Sequence, residues 1–139
     1  MLKTPAAGWT SFVMTGYSCS ASYLTDVPGN LLNCFISLLE NNHGYCYFDA
    51  EGRDYELFIS ADSAVIVEHE NERKLVDITP ADYDDEVIKK LALELCEDIT
   101  QDLIEWSMWD TFGDEEETKV KREELRTLVI RLRELAERK

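Results

Sequence analysis

The chain has 139 residues, 45% of them hydrophobic, which suits one globular domain over residues 1–139. Its 29 acidic side chains outnumber 14 basic ones and give a formal net charge of -15. This charge excludes nucleic acid and anionic membranes as favoured partners, because both would be repelled, and it leaves basic proteins as the partners that electrostatics favours.

The N-terminal part of the chain predicts one strand followed by one helix. Residues 9–17 are rich in β-branched and aromatic side chains, which is typical of a strand. Apolar residues then recur at helical spacing after a Pro-Gly-Asn turn, which predicts a short helix over residues 28–42. His43 and Gly44 are expected to end this helix.

Two β-hairpins are predicted in the middle of the chain. Residues 45–49 and 55–59 flank a loop that contains a glycine, as a tight connection requires. Residues 64–70 and 74–78 flank a second short turn. Together the hairpins predict an antiparallel meander of four strands, and the first strand is expected to join it as a fifth.

Two helices are predicted at the C-terminal end. Thr79 is expected to cap a long helix that runs to about Trp109, with Asp82 completing a capping-box-like pair. The apolar stripe of this helix is expected to face the sheet. Residues 114–138 predict a last helix, whose stripe is too short for a coiled coil and favours packing within the chain. The order β-α-β-β-β-β-α-α defines an α+β fold with an antiparallel sheet of four to five strands.

The expected location is cytoplasmic. The first residues lack the continuous apolar segment of a secretory signal. The uncharged residues 4–25 contain too many serine and threonine side chains to span a bilayer. The four cysteines do not have the spacing of a zinc site, and we expect them to be reduced and mostly buried. They are Cys19, Cys34, Cys46 and Cys96.

The sequence carries no recognisable catalytic constellation. The two histidines, His43 and His69, lie at a predicted helix end and between two glutamates on a predicted strand. The motifs of serine hydrolases, phosphate-binding loops, dinucleotide-binding folds and zinc proteases do not occur. The acidic residues 82–86 lack the spacing of a calcium loop and are interpreted as first-turn helix charges. We therefore predict a protein that is not an enzyme and that needs no cofactor or metal.

Two groups of acidic residues are predicted to bind a partner. The long helix has no lysine or arginine between Lys90 and Lys119, whereas a solvated helix usually pairs opposite charges four residues apart. Unbalanced charge costs self-repulsion in the folded state, which a basic partner would offset, although solubility is an alternative explanation. The predicted partner-binding residues are Glu94, Glu97, Asp98, Asp102 and Glu105 on the helix, and Glu51, Asp54, Tyr55, Glu56 and Glu70 on the hairpins.

A small α+β domain without a catalytic constellation, with an acidic face formed by Glu94, Asp98, Asp102 and Glu105, resembles the bacterial polymorphic-toxin immunity proteins. The resemblance implies a non-catalytic inhibitor that neutralises a basic toxin domain, often a nuclease, because carboxylates imitate the phosphates that a basic cleft binds. The alternative is an intracellular adaptor or regulatory module that assembles through its aromatic sheet or its last helix. The chain is expected to be a monomer or a weak homodimer.

Overall fold

The computed structural model describes residues 1–138. In chain order the elements are β1 (Trp9–Met14), β2 (Tyr17–Ser22), α1 (Val27–Asn41), β3 (His43–Asp49), β4 (Asp54–Ser60), β5 (Ala64–His69), β6 (Arg73–Asp77), α2 (Asp85–Gln101), α3 (Leu103–Ser107) and α4 (Glu115–Glu137). The predicted α+β class is confirmed. No helix within this described part is long and apolar enough to cross a bilayer.

The strands form two separate sheets. Strands β3 to β6 make the predicted antiparallel meander in sequence order, whereas β1 pairs only with β2 in a sheet of its own. The expectation that the first strand joins the larger sheet is therefore wrong. Thr15 and Gly16 turn the chain between β1 and β2 with positive φ angles of 52° and 79°, as a tight hairpin turn requires. Strand β2 was not predicted, because Cys19 and Ala21 are small and are the only buried apolar residues that alternate with its serines.

Helix α1 connects the larger sheet to the other helices. It packs against β3, while α4 packs against α1, α2 and α3. Its first turn is capped by the Asp26 carboxylate, which accepts a hydrogen bond from the Gly29 N–H. Its last turn ends at Asn42, which adopts the left-handed conformation. His43 and Gly44, predicted to end the helix, instead begin β3.

The long helix predicted from Thr79 starts later and is interrupted. Thr79 lies at the end of the sheet, where its hydroxyl accepts a hydrogen bond from the Ala64 N–H. Helix α2 begins after Asp84, whose carboxylate accepts the Val87 N–H. A break at Asp102 then separates α2 from α3. The apolar stripe of α2 packs mainly on α4, where sheet contact was expected.

The core joins both sheets and all four helices. Phe12 of β1 stacks on Phe48 of β3 with ring centroids 5.0 Å apart, and both rings are fully buried. Trp106 of α3 is also fully buried. All four cysteines are free and buried, as expected. Burial raises the pKa of Cys19 and Cys34 to about 12, which keeps both thiols protonated at neutral pH.

Candidate protein-binding surface

The first residues of the chain contact three of the acidic residues predicted on the long helix, which are Glu94, Asp98 and Asp102. The Met1 ammonium lies 2.8 Å from Glu94 Oε2 and 2.7 Å from Asp98 Oδ2. Burial lowers the pKa of this amino group, but the hydrogen bonds and charges of the two carboxylates outweigh burial and raise it. The Thr4 hydroxyl donates a hydrogen bond to Asp102. Three carboxylates that were predicted to bind a partner therefore already have polar contacts within the domain.

The other two predicted helix residues differ in their contacts. Glu97 Oε2 lies 3.8 Å from Arg133 Nη2 on α4, which is a weak, exposed ion pair. Glu105 on α3 is exposed. The compensating groups come from the first residues of the chain and from the last helix. The sequence pattern of opposite charges four residues apart could not identify these groups, because it compares only residues of the same helix.

One face of the larger sheet is not covered by α1. Buried residues of β3 and β4 alternate with exposed or half-buried ones, and the inner face includes Gly44, which abuts Cys34 of α1. Strand pairing aligns the outward residues in rows, for example Tyr45 opposite Phe58 and Tyr47 opposite Glu56. We call this outward surface the open face. It contains Tyr45, Tyr47, Asp54, Glu56, Phe58, Val65, His69, Arg73 and Leu75.

Large apolar side chains are exposed on the open face. The exposed fractions are 49% for Tyr45, 41% for Phe58 and 66% for Leu75. The Tyr45 and Phe58 rings contact each other with centroids 5.1 Å apart. Beside them lies a shallow cavity of about 380 Å³ that is also lined by His43 and Val65. This cavity adjoins both exposed rings and is large enough for the end of a long side chain.

Two carboxylates on the open face are held in fixed orientations by tyrosines. Glu56 Oε2 accepts a hydrogen bond of 2.6 Å from the Tyr45 hydroxyl, and Glu56 Oε1 lies 2.7 Å from His69 Nε2. The Tyr47 hydroxyl donates to Asp54 at 3.0 Å. The hydrogen bonds from Tyr45 and then His69 lower the pKa of Glu56 below its usual value. Each carboxylate therefore carries its charge at a defined position beside an aromatic ring.

The remaining hairpin residues do not all reach this face. Tyr55 is only 4% exposed and lies on the inner side, where its hydroxyl donates to Glu70 at 2.8 Å. Tyr55, one of the predicted partner-binding residues, is therefore largely inaccessible to a partner. Glu51 is exposed in the turn between β3 and β4. Phe58 was not among the predicted binding residues, although strict alternation along β4 places it on the same side as Glu56.

The lowered pKa of Glu56 predicts a pH-dependent contribution to stability. This contribution is fully present above the unfolded-state pKa, near 4.5, and is lost as the pH falls through the lower folded-state pKa. We expect Glu56→Gln to remove less than about 1 kcal/mol at neutral pH, because the site is near the surface. Urea unfolding between about pH 7 and pH 3 should show a shallower loss of stability for this variant than for the wild type.

The control for this experiment is Glu51→Gln, which changes an exposed carboxylate in the adjoining turn. It should leave the acid slope of the unfolding free energy as in the wild type. Equal slopes for the wild type and Glu56→Gln would contradict a stabilising role of the Tyr45 and His69 contacts.

The open face presents groups that suit the binding of basic side chains. In residues 1–138, no three His, Cys, Asp or Glu side chains are grouped so that they could hold a metal ion. Oriented carboxylates accept hydrogen bonds from arginine and lysine, and aromatic rings stack on guanidinium groups.

Comparison of this chain with known proteins finds no match among protein-family models, curated proteins or solved structures.

Proposed function

We propose that this protein is a non-catalytic inhibitor that binds a basic protein domain through the open face. The observation that supports this most directly is the uncovered sheet on which Tyr45 and Phe58 lie beside Asp54 and Glu56. Binding surfaces of this kind combine aromatic anchors with charged groups that select the partner. The partner is proposed to be a toxin domain, as the resemblance to immunity proteins implies, and the inhibitor to act in the bacterial cytoplasm.

The charge of the molecule supports this proposal through association kinetics. A net charge of -15 attracts a basic domain over a distance and raises the association rate at low salt. On contact, the carboxylates of Asp54 and Glu56 are already oriented by tyrosine hydroxyls. Less side-chain freedom is then lost on binding than with two unrestrained carboxylates. The aromatic rings contribute affinity, and the carboxylates contribute specificity.

A second candidate is an adaptor that assembles through the same aromatic sheet. The observation that favours it is Leu75, which is 66% exposed on β6, at the edge of the sheet. An edge strand with an exposed apolar side chain can pair with a second chain. Sedimentation over a range of concentrations and salt distinguishes the two. A salt-independent homodimer favours the adaptor, and a monomer that binds a basic partner favours the inhibitor.

The test compares the wild type with a Phe58→Ser/Glu56→Lys variant as immobilised baits for extracts of the source organism. We expect the wild type to retain a basic protein whose binding weakens with salt, and the variant to lose affinity for it by about 100-fold. The captured protein is then purified and its toxicity to cells measured. Co-expression of the wild type should restore growth, and co-expression of the variant should not.

The matched control is Glu97→Lys, which reverses the same charge on the exposed side of α2. It should keep affinity for the captured protein within about threefold of the wild type, because a single peripheral charge contributes little. Strong loss with Glu97→Lys and none with the open-face variant would move the interface to α2. Failure of the wild type to retain any basic protein in dilute buffer would contradict the proposed function.

A further inference from the structure

Four further exposed apolar side chains belong to the segment after β2, to α3 and to the loop that follows α3. The exposed fractions are 55% for Leu24, 62% for Ile104, 48% for Met108 and 83% for Phe112. We call these four residues the apolar corner. Single exposed apolar residues are ordinary, but a group of large ones is typical of a surface that another molecule covers.

Contacts between distant segments bring the members of the corner together. The Tyr23 ring meets the Phe112 ring edge-on, with centroids 5.5 Å apart. The Trp109 indole N–H donates a hydrogen bond of 2.8 Å to the carbonyl of Thr25. Leu24 lies between these two anchoring residues and is thereby held beside the loop that carries Phe112. Ile104 and Met108 are four residues apart along α3 and its capping turn, which places them on one side of the helix.

The backbone holds Phe112 outward in an unfavourable conformation. Its φ angle is 52°, in the left-handed region that aromatic residues rarely adopt, and Gly113 follows with φ of 80°. The turn is closed by the Asp114 N–H, which donates to the Thr111 carbonyl at 3.0 Å. The hydroxyls of Thr111 and Thr118 lie 2.8 Å apart and connect this turn to α4. This turn leaves Phe112 83% exposed, with its ring in edge contact with Tyr23.

The exposed charged residues that flank the corner in sequence are acidic, as far as the exposed Lys119 on α4. No lysine or arginine occurs in the sequence between Lys90 and Lys119. The nearby Lys121 is buried, with its ammonium 2.5 Å from Asp26 Oδ1 and 3.5 Å from Asp110 Oδ1, so its charge is compensated internally. The exposed acidic residues beside the corner are Glu105, Asp114, Glu115, Glu116 and Glu117. An apolar surface with an anionic rim is complementary to a cationic amphipathic segment.

We propose that the apolar corner is a docking site for a cationic amphipathic helix of a partner protein. Such a helix would place leucine-like side chains on Phe112, Met108 and Ile104 and its lysines or arginines against the surrounding carboxylates. The rim argues against an anionic membrane and against a second copy of this chain, since both carry negative charge. The corner shares no residue with the open face, so this proposal goes beyond the proposed function and does not depend on it.

The probe is a fluorescent helical peptide of leucine and lysine in which all leucines lie on one side. A second peptide of the same composition spreads the leucines around the helix and measures attraction by charge alone. Fluorescence anisotropy at physiological salt should show that the wild type binds the amphipathic peptide at least about tenfold more tightly than the second peptide. The Met108→Ser/Phe112→Ser variant should bind both peptides equally.

The matched control variant is Phe58→Ser/Leu75→Ser, which removes two exposed apolar side chains from the open face. It should keep the preference for the amphipathic peptide, even if the proposed function fails. Both double variants change exposed side chains, and urea unfolding should show that they fold as the wild type does.

Three results would overturn the proposal. The first is equal binding of the two peptides by the wild type, which would mean attraction by charge alone. The second is loss of the preference in the open-face variant and not in the corner variant. The third is binding of anionic phosphatidylglycerol vesicles by the wild type and not by the Met108→Ser/Phe112→Ser variant, which would make the corner a membrane contact.

Discussion

Replacing Phe12 with alanine is expected to lower the free energy of unfolding by about 4 kcal/mol. The Phe12 ring has no exposed surface and stacks on Phe48 at 5.0 Å, so it fills the space between the hairpin and the larger sheet. Its removal loses the transfer free energy of a whole aromatic ring and leaves a cavity that the surrounding backbone can close only in part. Urea unfolding followed by tryptophan fluorescence measures the effect.

Two further variants make the Phe12 prediction specific. Phe12→Leu keeps most of the buried volume and should cost less than about 2 kcal/mol. Phe58→Ala removes the same side chain from the open face, where 41% of Phe58 is already in contact with solvent, and should cost less than about 1 kcal/mol. Equal losses for Phe12→Ala and Phe58→Ala would contradict the position of β1 against the larger sheet.

Replacing Gly44 with alanine is expected to lower the free energy of unfolding by about 3 kcal/mol. A Cβ atom at Gly44 would lie 2.2 Å from the carbonyl oxygen of Cys34, far inside van der Waals contact. The opposing group is backbone in the middle of α1, so the clash is relieved only if the helix and β3 move apart. Separation of these two elements would open the main helix–sheet contact of the domain.

The origin of the Gly44 effect can be checked with two controls. Cys34→Ala combined with Gly44→Ala removes the neighbouring thiol but should restore little stability, because the clash with the Cys34 carbonyl remains. Gly16→Ala introduces a Cβ atom with nothing within 4 Å, and should cost only about 1 kcal/mol for its left-handed backbone. Full recovery with the Cys34 substitution would show that the side chain, and not the backbone, limits the approach.

The two proposed binding surfaces differ in how their negatively charged side chains are arranged. On the open face, Tyr45 and Tyr47 set the positions of the Glu56 and Asp54 carboxylates, and the basic side chains His69 and Arg73 lie in the same row as Asp54. Around the apolar corner, the carboxylates are numerous and exposed, and the anchor is the ring of Phe112. The first arrangement favours recognition of individual basic side chains. The second favours a segment with distributed positive charge and an apolar side.

Several elements of the fold were predictable because they depend on local pattern. The hairpins over β3 to β6 follow from alternation of apolar residues, and α1 and α4 follow from helical spacing with turn residues at their ends. The beginning of α2 was not predictable in this way. Thr79 and Asp82 match a capping box in sequence, but hydrogen bonds with Ala64 and Asp77 hold Thr79 beside the end of β6, and the helix begins at Asp85.

The amino-acid sequence by itself determined the excess of negative charge, the alternation of the strands and the run of acidic residues without lysine or arginine. Only the tertiary structure decided which carboxylates remain available to a partner. Glu94 and Asp98 are paired with Met1, from which they are separated by 93 and 97 positions in the chain. Such pairings depend on how the chain folds back on itself, and periodicity within one helix or strand contains no information about them.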